Sequence, residues 1–307
     1  MLRRSITGAI AALALCSTSL LAQANGLTGP GTATYVRSQW GYFPCVGLQC
    51  TPVGGDAENR IAGNGSTLTY DQLTLIGEGD GQGMGYAEAR SSLVGPLAAP
   101  KLQAKAGGVQ GLGAPPGYSG TAGFFYGGDA LANAVQYYSV QNPSAVPITF
   151  EVSYSFDAFL KASLPAELAK LSLNASLFVY DGLNANVEMP FGSMLAGDYA
   201  SFSGLDAVGG RIDEMRTLSF TVQPGSGFYV LAAFSAGLSG YPEGDNEVDA
   251  MSTFTVSFEG ANASLLRARL PATTPVPEPE SWALTLAGLG VLCLVRRSRD
   301  RREVTRR

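Results

Sequence analysis

The side chains that could do chemistry here are few, and the clearest constraint is one that is missing. The chain of 307 residues contains no histidine. That excludes Ser-His-Asp and Cys-His nucleophilic catalysis, His-ligated zinc, copper or haem, and imidazole proton transfer. Carboxylate chemistry and oxygen-ligated calcium are what remain. The densest run of hard oxygen ligands is Glu243 to Asp249, with Asp245, Asn246, Glu247 and Asp249 as candidate calcium ligands. The spacing is not that of an EF-hand, and a solvated acidic loop is the alternative. Paired carboxylates could also hydrolyse glycosides, but no Asp or Glu pair is marked out by its surroundings. The expectation is a protein that is not an enzyme and has no resident cofactor beyond a possible calcium.

Four cysteines are present: Cys16, Cys45, Cys50 and Cys293. Cys16 and Cys293 fall in the apolar segments at the two ends, which leaves Cys45 and Cys50 alone in the body. In an oxidising compartment these two would close a small loop as a disulfide. A redox-active pair would need an activating base or helix N-terminus, and neither is nearby. The aromatics Trp40, Tyr42, Phe43, Phe124, Phe125 and Tyr126 could stack on sugar rings or pack inside the body. The glycine run Gly77-Glu78-Gly79-Asp80-Gly81-Gln82-Gly83-Met84-Gly85 lacks the following Lys-Ser/Thr helix of a phosphate cradle and reads as a flexible loop.

The elements that must carry these residues are strands. Ile148 to Phe156 alternates apolar and polar residues without a break, as a strand with one wet face does. Leu218 to Val222 and Thr253 to Phe258 repeat the pattern. Phe228 to Leu238 places Phe228, Val230, Ala232, Phe234, Ala236 and Leu238 on one face. Between them Gln223-Pro224-Gly225-Ser226-Gly227 suits a type II turn. Weaker strands are expected at 33–37, 67–75, 86–93, 135–140 and 175–180. The one short helix expected in the body is Leu164 to Leu171, capped by Ser163.

Many short antiparallel strands without βαβ alternation predict an all-β fold, an antiparallel β-sandwich, jelly-roll-like in outline. Of the 52 residues from Gly77 to Gly128, 15 are glycine. That density predicts loops and a softer half at 25–134, followed by regular strands at 135–270.

The two ends address the chain. Arg3 and Arg4 precede an apolar stretch from Ile6 to Leu21, and Ala22-Gln23-Ala24 supplies a small-x-small site, so signal peptidase cleavage is expected after Ala24. At the other end, residues 271–281 are a Pro-rich spacer containing Val276-Pro277-Glu278-Pro279. An apolar run from Trp282 to Val295 follows, then Arg296, Arg297 and five further arginines in residues 296–307. As a helix, that run covers about 21 Å of a ~30 Å hydrocarbon core, and flanking Trp and Arg side chains can take up the difference. The arginines place the tail in the cytoplasm and the body outside, with residues 282–295 as a transmembrane helix in the inner membrane.

The whole chain holds 20 Lys and Arg against 25 Asp and Glu. Two of the cations lie in the leader and seven in the tail, while the tail holds four of the acids. The body between is therefore near −10, with no basic stripe for nucleic acid.

Val276-Pro277-Glu278-Pro279, then Glu280-Ser281-Trp282, the apolar segment and Arg296-Arg297 together resemble the PEP-CTERM sorting signal of Gram-negative bacteria. The resemblance covers about 33 residues, and the tail departs from it by running on for ten residues after Arg297. It implies that a membrane-embedded exosortase recognises the tail and processes the chain near Pro277 to Pro279. It further implies a destination at the cell surface or in an exopolysaccharide matrix. A plain C-terminal anchor without processing is the alternative. The strand pattern from Val135 to Glu259 also looks like the body of other such proteins. Three functions follow as expectations: a non-enzymatic surface or biofilm matrix component, a calcium-assisted carbohydrate-binding sandwich, and a carboxylate glycosidase.

Overall fold

The computed structural model describes residues 30–269, except 43–44, 47–48, 51–52, 64–69, 80–82, 111–123, 142–144, 164–169, 183–192, 207–209 and 239–243. The leader, the Pro-rich spacer, the apolar segment and the basic end all lie outside the described residues. The chain divides into two units, Met1–Pro271 and Ala272–Arg307.

The strands are β1 (Gly31–Tyr42), β2 (Cys45–Val46), β3 (Gln49–Cys50), β4 (Val53–Gly63), β5 (Tyr70–Gly79), β6 (Gly83–Val94), β7 (Ala99–Gln110), β8 (Phe124–Val140), β9 (Ile148–Lys161), β10 (Leu171–Asp181), β11 (Met194–Ser203), β12 (Arg211–Val222), β13 (Gly227–Leu238), β14 (Asn246–Glu259) and β15 (Leu266–Arg269). The larger sheet runs β11-β10-β13-β8-β1-β4, with β15 also on β8; the smaller runs β12-β9-β14-β7-β6-β5. Their pairings are antiparallel throughout, and the two inner faces pack together as a sandwich. From β7 to β14 the neighbours are β7 with β14, β8 with β13, β9 with β12 and β10 with β11. A long hairpin has rolled so that these partners fall in the two sheets in turn, which is the winding of a jelly roll. Strands β1 and β4 extend one sheet and β5 and β6 the other.

Alternation explains which residues face inward. Phe150, Val152, Tyr154, Phe156, Ala158 and Leu160 of β9 are all buried, as are Phe228, Val230, Ala232, Phe234, Ala236 and Leu238 of β13. Their rings interlock: Phe156 and Phe254 each pack on Phe234, at 5.5 and 5.4 Å between centroids, and Phe220 meets Phe228 edge-on at 4.8 Å. The expected turn is present, with Gly225 at φ 74 and the Ser226 N–H donating to the Gln223 carbonyl at 3.2 Å.

One expectation needs correction. Among its described residues the glycine-rich stretch forms strands rather than loops. It supplies β6, β7 and the start of β8, and Gly77 to Gly79 close the β5–β6 ladder with Gly79 opposite Met84. The reason is steric. A Cβ on Gly85 would overlap the carbonyl oxygens of Gly127 and Gln39, and one on Gly128 would overlap the Tyr86 carbonyl. Here the sheets approach backbone to backbone, and glycine is what fits. Alanine fills the adjoining inner positions: Ala87, Ala89, Ala104, Ala106, Ala130, Ala132 and Ala134.

The helix expected at Leu164 to Leu171 lies outside the described residues except at its end, where Leu171 opens β10. The Ser163 hydroxyl donates to the Asp245 carbonyl at 2.8 Å and accepts from the Asp245 N–H at 2.6 Å.

Two substitutions test this packing. Gly128→Val should lower stability by at least about 3 kcal/mol, because the obstacle is backbone and cannot rotate away. Tyr138→Phe should be neutral or stabilising by ~1 kcal/mol. The Tyr138 hydroxyl is fully buried, with no hydrogen-bond partner among the described residues, so its removal takes away a desolvation cost. Urea denaturation of both variants checks the pair, and a destabilised Tyr138→Phe would mean that the hydroxyl is satisfied.

Candidate functional site

The second half of the acidic stretch, Asn246 to Asp249, begins β14, while Gly244 and Asp245 precede the strand. Alternation therefore splits its members between two faces. Asn246 turns into the sandwich: its Oδ1 accepts the Ser163 N–H at 3.2 Å and its Nδ2 donates to the Tyr126 hydroxyl at 3.2 Å. Glu247 and Asp249 point to the outer face, where β7 sets Lys105 directly opposite Asp249. The Lys105 ammonium bridges the two carboxylates at 3.0 Å and 3.1 Å. Tyr86, on β6, donates its hydroxyl to Glu247 from two strands away. It can do so because Gly107 lies beneath; a Cβ there would stand 2.6 Å from the Tyr86 oxygen. Burial alone would lower the Lys105 pKa, but hydrogen bonds to Glu247 and Asp249 outweigh it and raise the value.

The structure thus brings Glu247 and Asp249 together around a cation, and separates Asn246 from them. Asp245 uses its backbone N–H and carbonyl on Ser163. Among the described residues no group of three or more Asp, Glu, Cys or His side chains is arranged to hold a metal ion.

A second polar cluster stands between the sheets at their β11–β12 edge. Tyr154 donates to Asp198 Oδ2 at 2.8 Å, and Arg216 reaches the two Asp198 oxygens at 3.4 and 3.3 Å. Arg216 also pairs with Glu214 at 3.5 Å. Sequence reading stopped β12 at Leu218 and missed these residues. The available signal was phase, since Glu214 and Arg216 continue the inward series of Leu218, Phe220 and Val222. On the outer face of the larger sheet, Arg37 grips Asp56 across β1 and β4, and the Arg60 guanidinium lies 4.7 Å over the Tyr35 ring.

Of the aromatics considered for sugar stacking, Tyr126 is buried in the core and Trp40 packs half-buried against it. Phe43 lies outside the described residues, and Tyr42, Phe124 and Phe125 enter as strand positions of β1 and β8. Cys45 and Cys50 occupy directly paired positions of the β2–β3 ribbon. Among the described residues no helix is long and apolar enough to cross a membrane; residues 282–295 are not among them.

The fold and these clusters define an all-β sandwich body whose charged side chains largely pair with one another, ahead of a tail with the order of parts of a sorting signal. Residues 275–302 match the family model of the PEP-CTERM protein-sorting motif, so the chain contains that motif in its C-terminal part. The motif marks an exported protein sorted through its C-terminus at the membrane, and implies processing by an exosortase. Comparison with curated proteins gives no match. Among solved structures, infectious bursal disease virus Gt strain aligns over 89% of this chain and 77% of its own, at 13% identity and a TM-score of 0.12. A score that low carries no argument about fold.

The polar sites make an alkaline prediction. Burial first, and the Glu247 and Asp198 carboxylates next, push the Tyr86 and Tyr154 hydroxyls well above the ordinary tyrosine value; burial alone does so for Tyr138. Each folded-state pKa lies above its unfolded value near 10, so their stabilisation is complete below about pH 10 and is lost as pH rises beyond it. Melting temperature should fall steeply above that pH, and absorbance titration should show these three tyrosines ionising only with unfolding. Smooth ionisation of all tyrosines in the folded protein would refute this.

Proposed function

We propose that this chain is a non-enzymatic component of the cell surface or of an exopolysaccharide matrix, delivered there through its C-terminal signal. The observation that carries the reading is the sorting motif at residues 275–302, which gives the chain an address and a processing route. The body adds support of a different kind. Several of its described ionisable groups are held in pairs, among them Lys105 with Glu247 and Asp249, Arg216 with Asp198, and Arg37 with Asp56. On this reading a signal peptidase cuts after Ala24. Residues 282–295 then hold the chain in the inner membrane, with Arg296 and Arg297 on the cytoplasmic side, until exosortase acts near Pro277 to Pro279.

A carbohydrate-binding sandwich is the second reading, and one observation favours it. Phe159 is 51% exposed on the outer face of the smaller sheet, with Arg211 and Asp249 as its direct cross-strand neighbours. An open ring beside charged hydrogen-bonding groups suits the apolar face of a sugar. Glycan-array binding with and without calcium, lost in Phe159→Ala, would favour it; absence of binding to any glycan would sink it.

Sorting is tested by intact mass and cell fractionation with and without exosortase. The expected result is a protein lacking its tail in the matrix fraction of the normal strain only, with Glu278→Ala reducing processing at least about tenfold. A full-length membrane form in both strains would leave a simple anchored protein.

We also propose that Cys45 and Cys50 form a disulfide. Paired positions of an antiparallel ribbon lie about 4.5–5.5 Å apart at Cα, inside the range a disulfide spans. Its contribution to stability would be ~2 kcal/mol, since the closed loop is small. Reduction should add the mass of two hydrogens and make both thiols alkylatable, whereas alkylation without reductant would show free thiols.

A further inference from the structure

The outer face of the larger sheet carries a polar shelf with no part in sorting. Outward positions of β8, β13, β10 and β11 fall into cross-strand rows. One row is Asp129, Gly237, Ser172 and Ser203, and the next is Leu131, Ser235, Asn174 and Ser201. The third is Asn133, Ala233, Ser176 and Tyr199. Among the described outward residues of these four strands, Asp129 is the only charged one.

Hydrogen bonds give the shelf a direction. The Tyr199 and Ser201 hydroxyls both donate to Asn174 Oδ1 at 2.8 Å, and Asn174 Nδ2 donates to the Ser235 hydroxyl at 3.2 Å. Both lone pairs of the amide oxygen are thereby occupied. What stays open alternates: Tyr199 and Ser201 keep oxygen lone pairs, while Asn174 and Ser235 each keep a hydrogen to donate.

Two neighbours complete the shelf. Gly237 leaves a gap, where a Cβ would stand 2.9 Å from the Ser172 hydroxyl and 3.1 Å from Asp129 Oδ1. The exposed Asp129 carboxylate has no hydrogen bond or ion pair among the described residues, since Arg37 opposite is held by Asp56. In the third row Asn133 is 1% exposed, and among the described residues neither its amide oxygen nor its nitrogen has a partner. A buried amide in that state needs a water or a ligand atom. Tyr199 ends the row with a side chain 47% exposed.

The geometry points to this shelf as a binding site for a neutral polysaccharide, its hydroxyls on Asp129, Asn174, Ser201 and Ser235 and one sugar face on the Tyr199 ring. The occupant follows from complementarity. A sugar hydroxyl both donates and accepts, as the open groups of Asn174, Ser235, Ser201 and Tyr199 require. A carboxylate accepts hydroxyl hydrogens in short, charge-assisted bonds, and as the lone charge of the shelf it repels a polyanion. The exposed phenol offers an apolar face with a polar tip. From β11 to β8 the shelf spans three inter-strand steps of ~4.8 Å, which suits a chain better than a single sugar. The site is separate from Phe159, on the outer face of the other sheet, and does not rest on it.

The test is affinity electrophoresis of the full chain in a detergent without a sugar headgroup. Gels contain dextran, laminarin or galactomannan as neutral probes, or polygalacturonate as an anionic one. Wild type should be retarded by at least one neutral polysaccharide and not by polygalacturonate. Asn174→Ala and Asp129→Ala should each raise the dissociation constant at least about tenfold. Gly237→Ala should do the same at an unchanged urea midpoint, because the added methyl meets side-chain ends that can shift. That variant decides the matter if either of the others fails to fold. Met215→Ala, at a 66% exposed position on the smaller sheet, should bind as wild type. No retardation by any neutral probe, retardation by polygalacturonate alone, wild-type affinity in all three shelf variants, or a loss confined to Phe159→Ala would overturn the proposal.

Discussion

The space between the two sheets is the constraint on which the rest of the structure depends, and it is not uniform. Around β6, β7 and the first half of β8, glycine and alanine hold the sheets at near backbone contact. Toward β9, β12, β13 and β14 the same gap is filled by stacked and edge-on rings. Strand β8 spans both regimes, with Gly128, Ala130, Ala132 and Ala134 inward at one end and Tyr138 at the other. A close-packed interior tolerates neither an added methyl at the narrow end nor a lost ring at the wide end. The jelly-roll winding follows as the arrangement that lets one long hairpin satisfy both widths while every ladder stays antiparallel.

Polar chemistry is pushed to the margins of that packed slab. The inter-sheet cluster of Tyr154, Asp198, Glu214 and Arg216 sits where β11 and β12 leave an edge, and Lys105 with its two carboxylates lies on an outer face. Both clusters satisfy themselves: each carboxylate already has a cation or a hydroxyl. Ionic groups so engaged add little to stability, because half-exposed pairs contribute modestly. Specific instruction is concentrated in the tail, where the PEP-CTERM motif directs the protein to membrane-associated sorting.

Strands with a clean two-residue period could be read directly. Ile148 to Phe156, Leu218 to Val222 and Thr253 to Phe258 lie inside observed strands, because one face of each is drier than the other, and Phe228 to Leu238 lies inside β13, which is largely buried on both faces. Strands β4, β7 and β11 escaped for physical reasons. β4 is exposed on both faces, β7 uses alanine and glycine where larger residues would mark an inward face, and β11 mixes Gly197 and Asp198 into its series. Small residues give a weak periodic signal even when the packing they serve is the tightest in the molecule.

By itself, then, the sequence determined the all-β class, the strongest strands, the exclusion of histidine-based chemistry, and the sorting motif at the C-terminus. These are local properties: composition, alternation, and a short ordered motif legible without a fold. Only the tertiary structure decided that the glycine-rich half is a seam between sheets, since a glycine in a loop and a glycine under a crossing backbone look alike in one dimension. It alone decided that Asn246 faces the core while Glu247 and Asp249 clasp Lys105, because the partner residue lies 144 positions away from Asp249 in the chain.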